Sequence, residues 1–390
     1  MTGAEEVAGI FRQFGQAYRQ QHADTMAVCQ LKAMRAIEIC RTEALGGHVD
    51  ACEQCGALRI SYNSCRNRHC PKCQGLNKER WLDARRRELL PVKYFHVVFT
   101  LPEALRPLAL GNPREIYTLL FACASATLKQ LAADPKHLGA DIGFMAMLHT
   151  WNQTLGAHPH LHCIVTGGGL ADGNRCWKGC RRRFFLPVRV MASLFRGKFL
   201  DGLKQAFEAG RLGLGPRATP GAAAFRTLLD ELYAQNWVLY CKPPLYGAES
   251  VVEYFARYSY RVAISNNRIV GVDDGRVTFR YRDRSDKGRL RSLSLRAEEF
   301  IRRFLLHILP DRFVKIRYYG IMSNRHRKKK LQICRRLLEA ADADVPADDP
   351  EAWQDLLFRV TSVDVRICPN CGGRLVFQSW LMPYPAGVPP

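Results

Sequence analysis

Three histidines lie close together in the segment His158-Pro-His160-Leu-His162. Side chains two residues apart in a β-strand point to the same face, so the spacing places the imidazoles of His160 and His162 side by side. Two adjacent imidazoles can hold one divalent ion, since histidine is a common metal ligand. Three glycines, Gly167–Gly169, follow the pair and favour a functional site. Because histidine pairs are also often structural, this motif alone does not decide the chemistry.

Two tyrosines form the second candidate element. Tyr254 and Tyr258 are four residues apart in a segment whose pattern predicts a helix, so both phenols lie on one face of it. A phenol with a pKa near ~10 is a poor nucleophile at neutral pH. A divalent ion at His160 and His162 could polarise a phosphate and stabilise the charge as a phenolate attacks. Alternatively, the two tyrosines and Val251 form an apolar stripe that packs into a core.

The cysteines suggest metal binding of a different kind. Fifteen cysteines accompany no secretion signal, so a disulfide framework is not expected. Two Cys-x-x-Cys pairs, Cys52/Cys55 and Cys70/Cys73, are separated by fourteen residues. Two thiolates on a tight turn bind one side of a tetrahedral ion, and a second pair completes the coordination. We therefore predict a structural zinc ion bound by these four residues; buried free thiols or redox pairs are the alternatives.

Further cysteines and histidines extend this hypothesis to additional zinc sites. A second site could be formed by four residues around the two pairs, Cys40, His48, Cys65 and His69. Alternatively, Cys65 and His69 only border the first site or replace one of its ligands. A third pair, Cys368 and Cys371, lies near the C-terminus without a neighbouring partner pair. It could hold a third zinc ion if the fold brings to it Cys334, or Cys176 and Cys180.

Positive charge dominates the charged residues. The chain has 58 lysines and arginines and 36 acidic residues, a net charge of +22. Between Arg276 and Arg336 there are 20 basic and 5 acidic residues, whereas Glu339–Asp355 has seven acidic and no basic residues. This distribution predicts a polyanionic partner, with nucleic acid as the first choice and an anionic membrane surface as the second. The residues expected to contact DNA are Arg66, Arg68, Lys72, Arg325, Arg327 and Lys328.

The length and patterning predict a multidomain α+β protein. A chain of 390 residues is long enough for two or three domains, and an apolar fraction of 47% excludes general disorder. We find neither an uninterrupted apolar run of transmembrane length nor a signal peptide. Strand-like segments alternate with helical ones and have hairpin-like neighbours, which is typical of the α+β class. The predicted divisions are a helical and zinc-binding domain at 1–92, an α+β core at 93–275, a basic DNA-binding extension at 276–338, and an acidic linker with the C-terminal Cys-x-x-Cys pair at 339–390.

The histidine pair followed by a two-tyrosine helix resembles the HUH endonucleases. The chain as a whole resembles the two-tyrosine HUH transposases of the insertion-sequence-91 family, which move by a rolling-circle route. This resemblance extends from about residue 20 to residue 330, and the CPNCGG segment also fits. The matching segments are LGGHVDACEQCG, YNSCRNRHCPKCQ, HTWNQTLGAHPHLHCIVTGGG, YFARYSYRVAISNNRI, EEFIRRFLLHILP and IRYYGIMSNRHR.

The resemblance implies both a fold and a reaction. It implies that residues 93–275 form a ferredoxin-like (RRM-like) nuclease core with an antiparallel sheet, preceded by a helical, zinc-ribbon domain. It also implies Mg²⁺ or Mn²⁺ at His160 and His162. The motif does not fix the third ligand, for which Gln153 and then His158 are the candidates. Tyr254 or Tyr258 would attack single-stranded DNA, giving a 5′-phosphotyrosine and a free 3′-hydroxyl. Rejoining would then need no nucleotide cofactor.

Two other functions stay open at this point. The same chemistry would serve a replication initiator or a conjugative relaxase, although a zinc-binding segment in front of the core favours a transposase. The chain could also be a non-enzymatic zinc-ribbon DNA-binding protein. As a transposase it would act on single-stranded DNA and element ends in the bacterial cytoplasm, associated with the nucleoid when bound to DNA and not with a membrane. The sequence does not indicate the oligomeric state.

Overall fold

The computed structural model has an α+β fold in which the strand pairs of the described residues are antiparallel, as predicted. It describes residues 6–181, 185–213, 221–245, 250, 251, 254, 263–283, 285–340 and 351–383. The chain forms two compact units. The first, called the cysteine unit, comprises Met1–Trp81, Tyr260–Ile308 and Pro346–Pro390. The second, called the histidine unit, comprises Leu82–Ser259 and Leu309–Val345.

These units do not follow the four consecutive segments predicted from the sequence. The predicted basic extension, 276–338, is divided, because residues up to Ile308 belong to the cysteine unit and those from Leu309 to the histidine unit. The C-terminal segment belongs to the same unit as the N-terminal one, since their strands pair with each other. Runs of charge report on surface composition and contain no information about such long-range strand pairing.

The helices of the cysteine unit bury apolar residues at helical spacing. Helix α1 buries Val7, Ile10, Phe11 and Tyr18, which lie on one face of it. The ring of Phe11 packs edge-to-face on that of Phe304, with centroids 5.2 Å apart. The helices are α1 (Val7–His22), α2 (Val28–Glu38), α8 (Ala297–Leu305) and α10 (Trp353–Thr361).

Two three-stranded sheets complete the cysteine unit. The first has the order β12-β1-β2 and the second β10-β9-β8. Their strands are β1 (Gly47–Cys52), β2 (Leu58–Tyr62), β8 (Ile269–Asp273), β9 (Arg276–Asp283), β10 (Arg289–Arg296) and β12 (Leu375–Leu381). Asp274 and Gly275 connect β8 to β9 with φ angles of 48° and 70°. A two-residue hairpin turn of type I′ requires positive φ at both central positions, which explains the Asp-Asp-Gly signal.

The histidine unit is built on a larger sheet of order β11-β4-β5-β3-β7, with β6 paired to β5. Its strands are β3 (Tyr94–Thr100), β4 (Asp141–Trp151), β5 (Ala157–Ala171), β6 (Cys176–Gly179), β7 (Leu239–Leu245) and β11 (Ile316–Gly320). Strands β3, β4 and β5 are buried over most of their length. Buried strands are typically continuous apolar runs, and these three were recognisable in the sequence for that reason.

Four helices contribute buried residues to the main core on one face of this sheet: α4 (Arg106–Gly111), α5 (Pro113–Ala133), α6 (Val188–Glu208) and α7 (Ala222–Ala234). Helix α9 (Arg327–Leu337) packs in a separate apolar cluster with Leu170 of β5 and Ile321. Helix α3 (Gly75–Glu88) contains the boundary between the units. Among the described residues, α5 alone is long and apolar enough to cross a membrane by length and composition. Its residues Ile116, Leu120, Phe121 and Leu128 are buried in the core of the unit, as in core helices of soluble proteins.

The two faces of the sheet differ in the side chains that they carry. Alternate residues of β3, β4 and β5 belong to the main hydrophobic core, for example Phe95, Phe144 and Leu161. The residues between them lie on the opposite face, which carries the histidines described below. The three glycines of β5 have a steric role, since a Cβ atom at Gly169 would lie 2.3 Å from the carbonyl oxygen of Asp141. Their presence therefore reflects close strand approach.

Candidate active site and metal centres

His160 and His162 lie side by side on β5, as the alternation of the strand predicts. Their Nε2 atoms are 3.0 Å apart. His162 is buried and His160 is half-buried. The Nδ1 atom of His160 lies 2.6 Å from the carbonyl oxygen of His158. When Nδ1–H donates to this carbonyl, Nε2 is left free to bind a metal ion.

A third imidazole, that of His149, completes the group. His149 is on β4 directly opposite His160, and the ligand nitrogens of His149, His160 and His162 lie within 4.8 Å of one another. The ring of His149 stacks on that of Trp151, with centroids 4.6 Å apart. Three nitrogens at these distances fit one divalent ion and supply only three ligands, which leaves coordination positions for water or substrate.

The two residues predicted as third ligands have other positions. The side chain of His158 is not part of the group; its ring lies next to that of His160, with centroids 5.0 Å apart, and its backbone carbonyl contacts Nδ1 of His160. Gln153 lies in the turn between β4 and β5, where the side chain of Asn152 accepts hydrogen bonds from the amides of Thr154 and Gly156. His149 is the residue that the sequence reasoning missed. It could have been found by centring a hairpin on this turn, which pairs His149 with His160.

Tyr254 lies close to the histidine group through a fourth histidine, His96. The hydroxyl oxygen of Tyr254 is 2.5 Å from Nδ1 of His96, and Nε2 of His96 is 2.8 Å from Nδ1 of His162. His96 is on β3, opposite Ile164 of β5 and Lys242 of β7. The second predicted tyrosine, Tyr258, lies outside the described residues.

Burial and neighbouring charges lower the pKa values of two of these histidines, His96 and His162. Burial, together with the charges of Lys242 and His160, lowers the pKa of His96 to about 3. Burial also lowers the pKa of His162 well below its usual value, and the neighbouring His149 and His160 act in the same direction. A neutral imidazole has a free nitrogen lone pair, which is the form that binds metal ions.

The cysteines form two groups of four, and their pairing differs from the prediction. The first group consists of Cys40, Cys65, Cys70 and Cys73. Sγ of Cys73 is 3.4 Å from that of Cys40 and 3.5 Å from that of Cys65. Cys40 follows the C-terminal end of α2, and the other three lie in the loop between β2 and α3. The predicted site of Cys52/Cys55 with Cys70/Cys73 is therefore wrong.

The second group joins residues from both ends of the sequence. It consists of Cys52, Cys55, Cys368 and Cys371. The Sγ atoms of Cys52 and Cys371 are 3.4 Å apart, and those of Cys55 and Cys368 are 3.8 Å apart. The pairing of β1 with β12 brings the two turns together, since Cys52 lies opposite Leu375. The predicted partners Cys176, Cys180 and Cys334 belong to the histidine unit and to neither group.

The two turns of the second group share a local sequence pattern that the Cys70/Cys73 turn lacks. Gly56 follows Cys55 and Gly372 follows Cys371, with φ angles of 70° and 76°. The amide of each glycine donates to the carbonyl of the first cysteine of its pair, at 3.0 Å in both turns. Glycine adopts this conformation without strain, so a shared Cys-x-x-Cys-Gly pattern predicts turns of the same kind. The Cys70/Cys73 pair is followed by Gln74 and lacks the pattern.

Neither His48 nor His69 belongs to a cysteine group within the described part of the chain. His48 lies on β1, where its Nε2 is 3.5 Å from the carboxylate of Asp50 and its ring packs on Trp380. The predicted second site, Cys40 with His48, Cys65 and His69, is therefore wrong in its histidines and correct in bringing Cys40 and Cys65 together.

Comparison with known proteins shows the family. A family profile described as "Transposase zinc-binding domain" matches residues 10–101, and one described as "Putative transposase" matches residues 143–330. The chain is 50% identical to "Putative transposase y4qJ" of Sinorhizobium fredii (strain NBRC 101917 / NGR234) over 94% of its own length and 92% of that protein's. It is 27% identical to "Transposase for insertion sequence element IS801" of Pseudomonas savastanoi pv. phaseolicola, over 87% and 81% of the two lengths.

The chain belongs to the insertion-sequence-91 family of transposases. No solved structure matches it. The transposase contains a zinc-binding domain, and its two tetrathiol groups have the donor set that structural zinc requires. Hydrogen bonds from the backbone of Cys55 lower the pKa of Cys52 to about 6, which favours the thiolate that binds the metal.

The basic residues predicted to contact DNA are not equally available in the transposase. In the cysteine unit, Arg66 is exposed, while the ammonium of Lys72 forms an ion pair with Glu6 at 2.5 Å. Arg68 is half-buried. In the histidine unit, Arg325 and Lys328 are exposed. Arg327 of the same unit is held 3.0 Å from the carboxylate of Glu88, and its guanidinium lies over the ring of Tyr318.

Proposed function

We propose that this transposase cleaves and rejoins single-stranded DNA through a covalent bond to Tyr254. The observation that supports this proposal is the position of the Tyr254 hydroxyl, one imidazole away from three histidines that fit a divalent ion. A nucleophile and a metal site at such a distance are the elements of metal-assisted phosphoryl transfer. The single-strand specificity, the 5′-phosphotyrosine and the HUH subtype belong to the proposal.

The reaction requires one bond to form and one to break at the same phosphorus. The phenolic oxygen of Tyr254 releases its proton to solvent and attacks the phosphodiester, and the bond between phosphorus and the 3′-oxygen breaks. The 5′-phosphate is then esterified to the tyrosine, and the departing 3′-oxygen takes up a proton. A free 3′-hydroxyl can attack this ester in the reverse sense, so the strand is rejoined without a nucleotide cofactor.

The histidines fix the place of this reaction. His149, His160 and His162 would hold a divalent ion, which when bound would polarise the phosphate and stabilise its developing charge. Rigid strands support all three residues, so the position of the ion is defined before DNA binds. We expect Mg²⁺ or Mn²⁺, and the imidazole ligands favour the transition ion Mn²⁺.

Tyr258 is proposed as the second nucleophile. With two tyrosines, one protein chain could hold a cut strand on one residue and cleave a further strand with the other. This role follows from the spacing of the two residues in the sequence and from the family resemblance. Single-stranded DNA and the ends of the mobile element are the proposed partners. The exposed Arg66, Arg325 and Lys328 are the proposed phosphate contacts that are most available.

We further propose that both tetrathiol groups bind zinc and that their role is structural. Four thiolates saturate a tetrahedral ion and leave no position for substrate, which is the pattern of structural sites. In the cysteine unit, the first group connects α2 to the loop before α3, and the second connects the turns next to β1 and β12. The ions would thus stabilise the part of the chain in which the zinc-binding family profile lies.

The test of the cleavage proposal is a covalent adduct. Purified protein is incubated with Mn²⁺ and fluorescent single strands that cover the DNA flanking its gene, and the products are separated on a denaturing gel. We expect a labelled band at the mass of protein plus DNA, absent with EDTA. Tyr254→Phe combined with Tyr258→Phe should abolish the band while DNA binding survives, and Tyr233→Phe, an exposed tyrosine on α7, is the matched control. An undiminished adduct in the double variant would place the nucleophile elsewhere.

A further inference from the structure

His96 is a buried polar residue that the proposed chemistry has not yet used. It is 1% exposed and lies in the otherwise apolar strand Tyr94–Thr100. Its two ring nitrogens contact different residues: Nδ1 contacts the hydroxyl of Tyr254 at 2.5 Å, and Nε2 contacts Nδ1 of His162 at 2.8 Å. Its ring also stacks on that of His162, with centroids 5.0 Å apart. His96 therefore connects a candidate nucleophile to a candidate metal ligand.

The direction of these two hydrogen bonds follows from counting hydrogen atoms. Nε2 of His162 faces Nε2 of His160 and is the atom available to an ion. A neutral His162 that binds an ion through Nε2 has its hydrogen on Nδ1, so it donates to Nε2 of His96. A neutral His96 that accepts at Nε2 has its own hydrogen on Nδ1. That hydrogen is directed at the phenolic oxygen of Tyr254, which lies 2.5 Å from Nδ1.

The opposite direction is incompatible with a bound ion. If the Tyr254 hydroxyl donated to Nδ1 of His96, the hydrogen of His96 would lie on Nε2 and point to Nδ1 of His162. His162 would then have its hydrogen on Nε2, where the ion must bind. Without an ion, Nε2 of His160 can accept a hydrogen bond from Nε2 of His162 at 3.0 Å, which is the tautomer of this opposite direction. Occupation of the metal site thus fixes the tautomers of both histidines and turns His96 from an acceptor into a donor toward Tyr254.

We propose that His96 is a positioning residue that couples ion binding to Tyr254 by relaying a hydrogen bond from His162 to the phenolic oxygen. The donated bond holds this oxygen near the ion site and stabilises the phenolate during attack, since bonds donated to a charged oxygen are stronger than those to a neutral one. The inference rests on the proposed function, because it assigns His96 a role in the same reaction.

The position of His96 on the sheet supports a specific role. His96 and His162 are diagonal neighbours, because His162 lies opposite Val98 and His96 opposite Ile164. Lys242, which lies opposite His96 on β7, has its ammonium 5.9 Å from the centre of the Tyr254 ring. If His96 only satisfied its own buried nitrogens, any two polar groups could serve as its partners. Its actual partners are the candidate nucleophile, Tyr254, and a candidate metal ligand, His162.

The test compares three substitutions of His96. The amide of asparagine can replace Nδ1 and donate to Tyr254, the amide of glutamine can replace Nε2 and contact His162, and alanine replaces neither. At saturating Mn²⁺, we expect His96→Ala to slow single-turnover adduct formation by ~10²-fold, as for loss of a residue that supports a metal ligand. His96→Asn should recover part of this loss and His96→Gln should not. The control is His137→Asn, an exposed histidine in the same unit.

A second measurement does not depend on cleavage. With ¹⁵N-labelled histidine, the chemical shifts of the His96 ring nitrogens report which one has the hydrogen, and His96→Gln assigns the signals. We expect the hydrogen on Nδ1 with Mg²⁺ present and on Nε2 after EDTA. A hydrogen on Nε2 with Mg²⁺, a wild-type rate in His96→Ala, or equal rates in the Asn and Gln variants would overturn the role of His96. Failure of the wild type to form any adduct would instead overturn the proposed function.

Discussion

The tetrathiol groups and the histidine group have similarly spaced ligand atoms but differ in ligand type and in the number of coordination positions that they leave open. Each brings three or four ligand atoms within 4.8 Å of one another. The thiol groups offer four soft ligands and leave no open position, whereas the histidine group offers three imidazoles and leaves positions for a phosphate and water. On the proposed function, the thiol groups are the structural metal sites of the chain and the histidine group is its catalytic one.

The two kinds of site also differ in how the chain assembles them. His149, His160 and His162 come from one hairpin, so they meet as soon as β4 pairs with β5. Cys52 and Cys371 are 319 residues apart in the sequence and meet only when β1 pairs with β12. A local site can form on a rigid scaffold without metal, while a long-range thiol site gains its stability from the metal itself.

The largest effect is expected from breaking a thiol group. Cys70→Ser should remove about one zinc ion per chain and unfold part of the cysteine unit, because zinc binding at structural sites supplies on the order of 10 kcal/mol. His162→Ala should leave zinc content and folding intact. Zinc analysis and limited proteolysis measure the two outcomes, with Cys29→Ser, a half-buried cysteine outside both groups, as the control. Full zinc content and unchanged proteolysis in Cys70→Ser would remove the distinction.

The second largest effect is expected from substitution of His149, with His158 as the matched control. His149→Ala removes a direct ligand and should weaken Mn²⁺ binding by ~10²-fold or more, above the loss typical of residues that only support a ligand. His158→Ala should change it by less than about threefold, because the His158 ring packs against that of His160 without being a ligand, and alanine retains the carbonyl oxygen that orients His160. Mn²⁺ titration by electron paramagnetic resonance gives both affinities. Equal losses would mean that the third ligand has been misassigned.

The smallest effect concerns the choice of ion. Imidazole nitrogen suits transition ions better than Mg²⁺, which prefers oxygen ligands. Mn²⁺ should therefore support adduct formation at a concentration about tenfold lower than Mg²⁺ does. Titration of the two ions in the cleavage assay measures this ratio, with the zinc content of the protein followed in parallel. A lower requirement for Mg²⁺ would indicate an oxygen-rich site and would weaken the contrast with the thiol groups.

Local patterns predicted the elements and part of the sites. The buried strands were visible as apolar runs, and the alternation of β5 correctly placed His160 beside His162. The Cys-x-x-Cys spacing revealed metal-binding turns. What the sequence could not supply was the partner of each turn, because the pairing of β1 with β12 depends on contacts between the ends of the chain.

The two site residues that were not predicted, His149 and His96, were missed for the same physical reason. His149 and His96 lie on strands adjacent to β5, and their approach to His162 depends on strand register. Register is set by the turns and by burial over the whole sheet, which a motif of five residues does not contain. A lone histidine in the apolar strand Tyr94–Thr100 was the available signal for His96, since a buried polar group needs a partner.

X-ray absorption at the zinc and manganese edges of one Mn²⁺-loaded sample would test the contrast between closed thiol sites and an open histidine site most directly. We predict that each chain holds two zinc ions, each with four sulfur ligands at ~2.3 Å. Manganese should show nitrogen and oxygen ligands only, and His162→Ala should remove the manganese signal while leaving the zinc signal unchanged. Nitrogen ligands on zinc, sulfur ligands on manganese, or manganese that persists in His162→Ala would contradict the account.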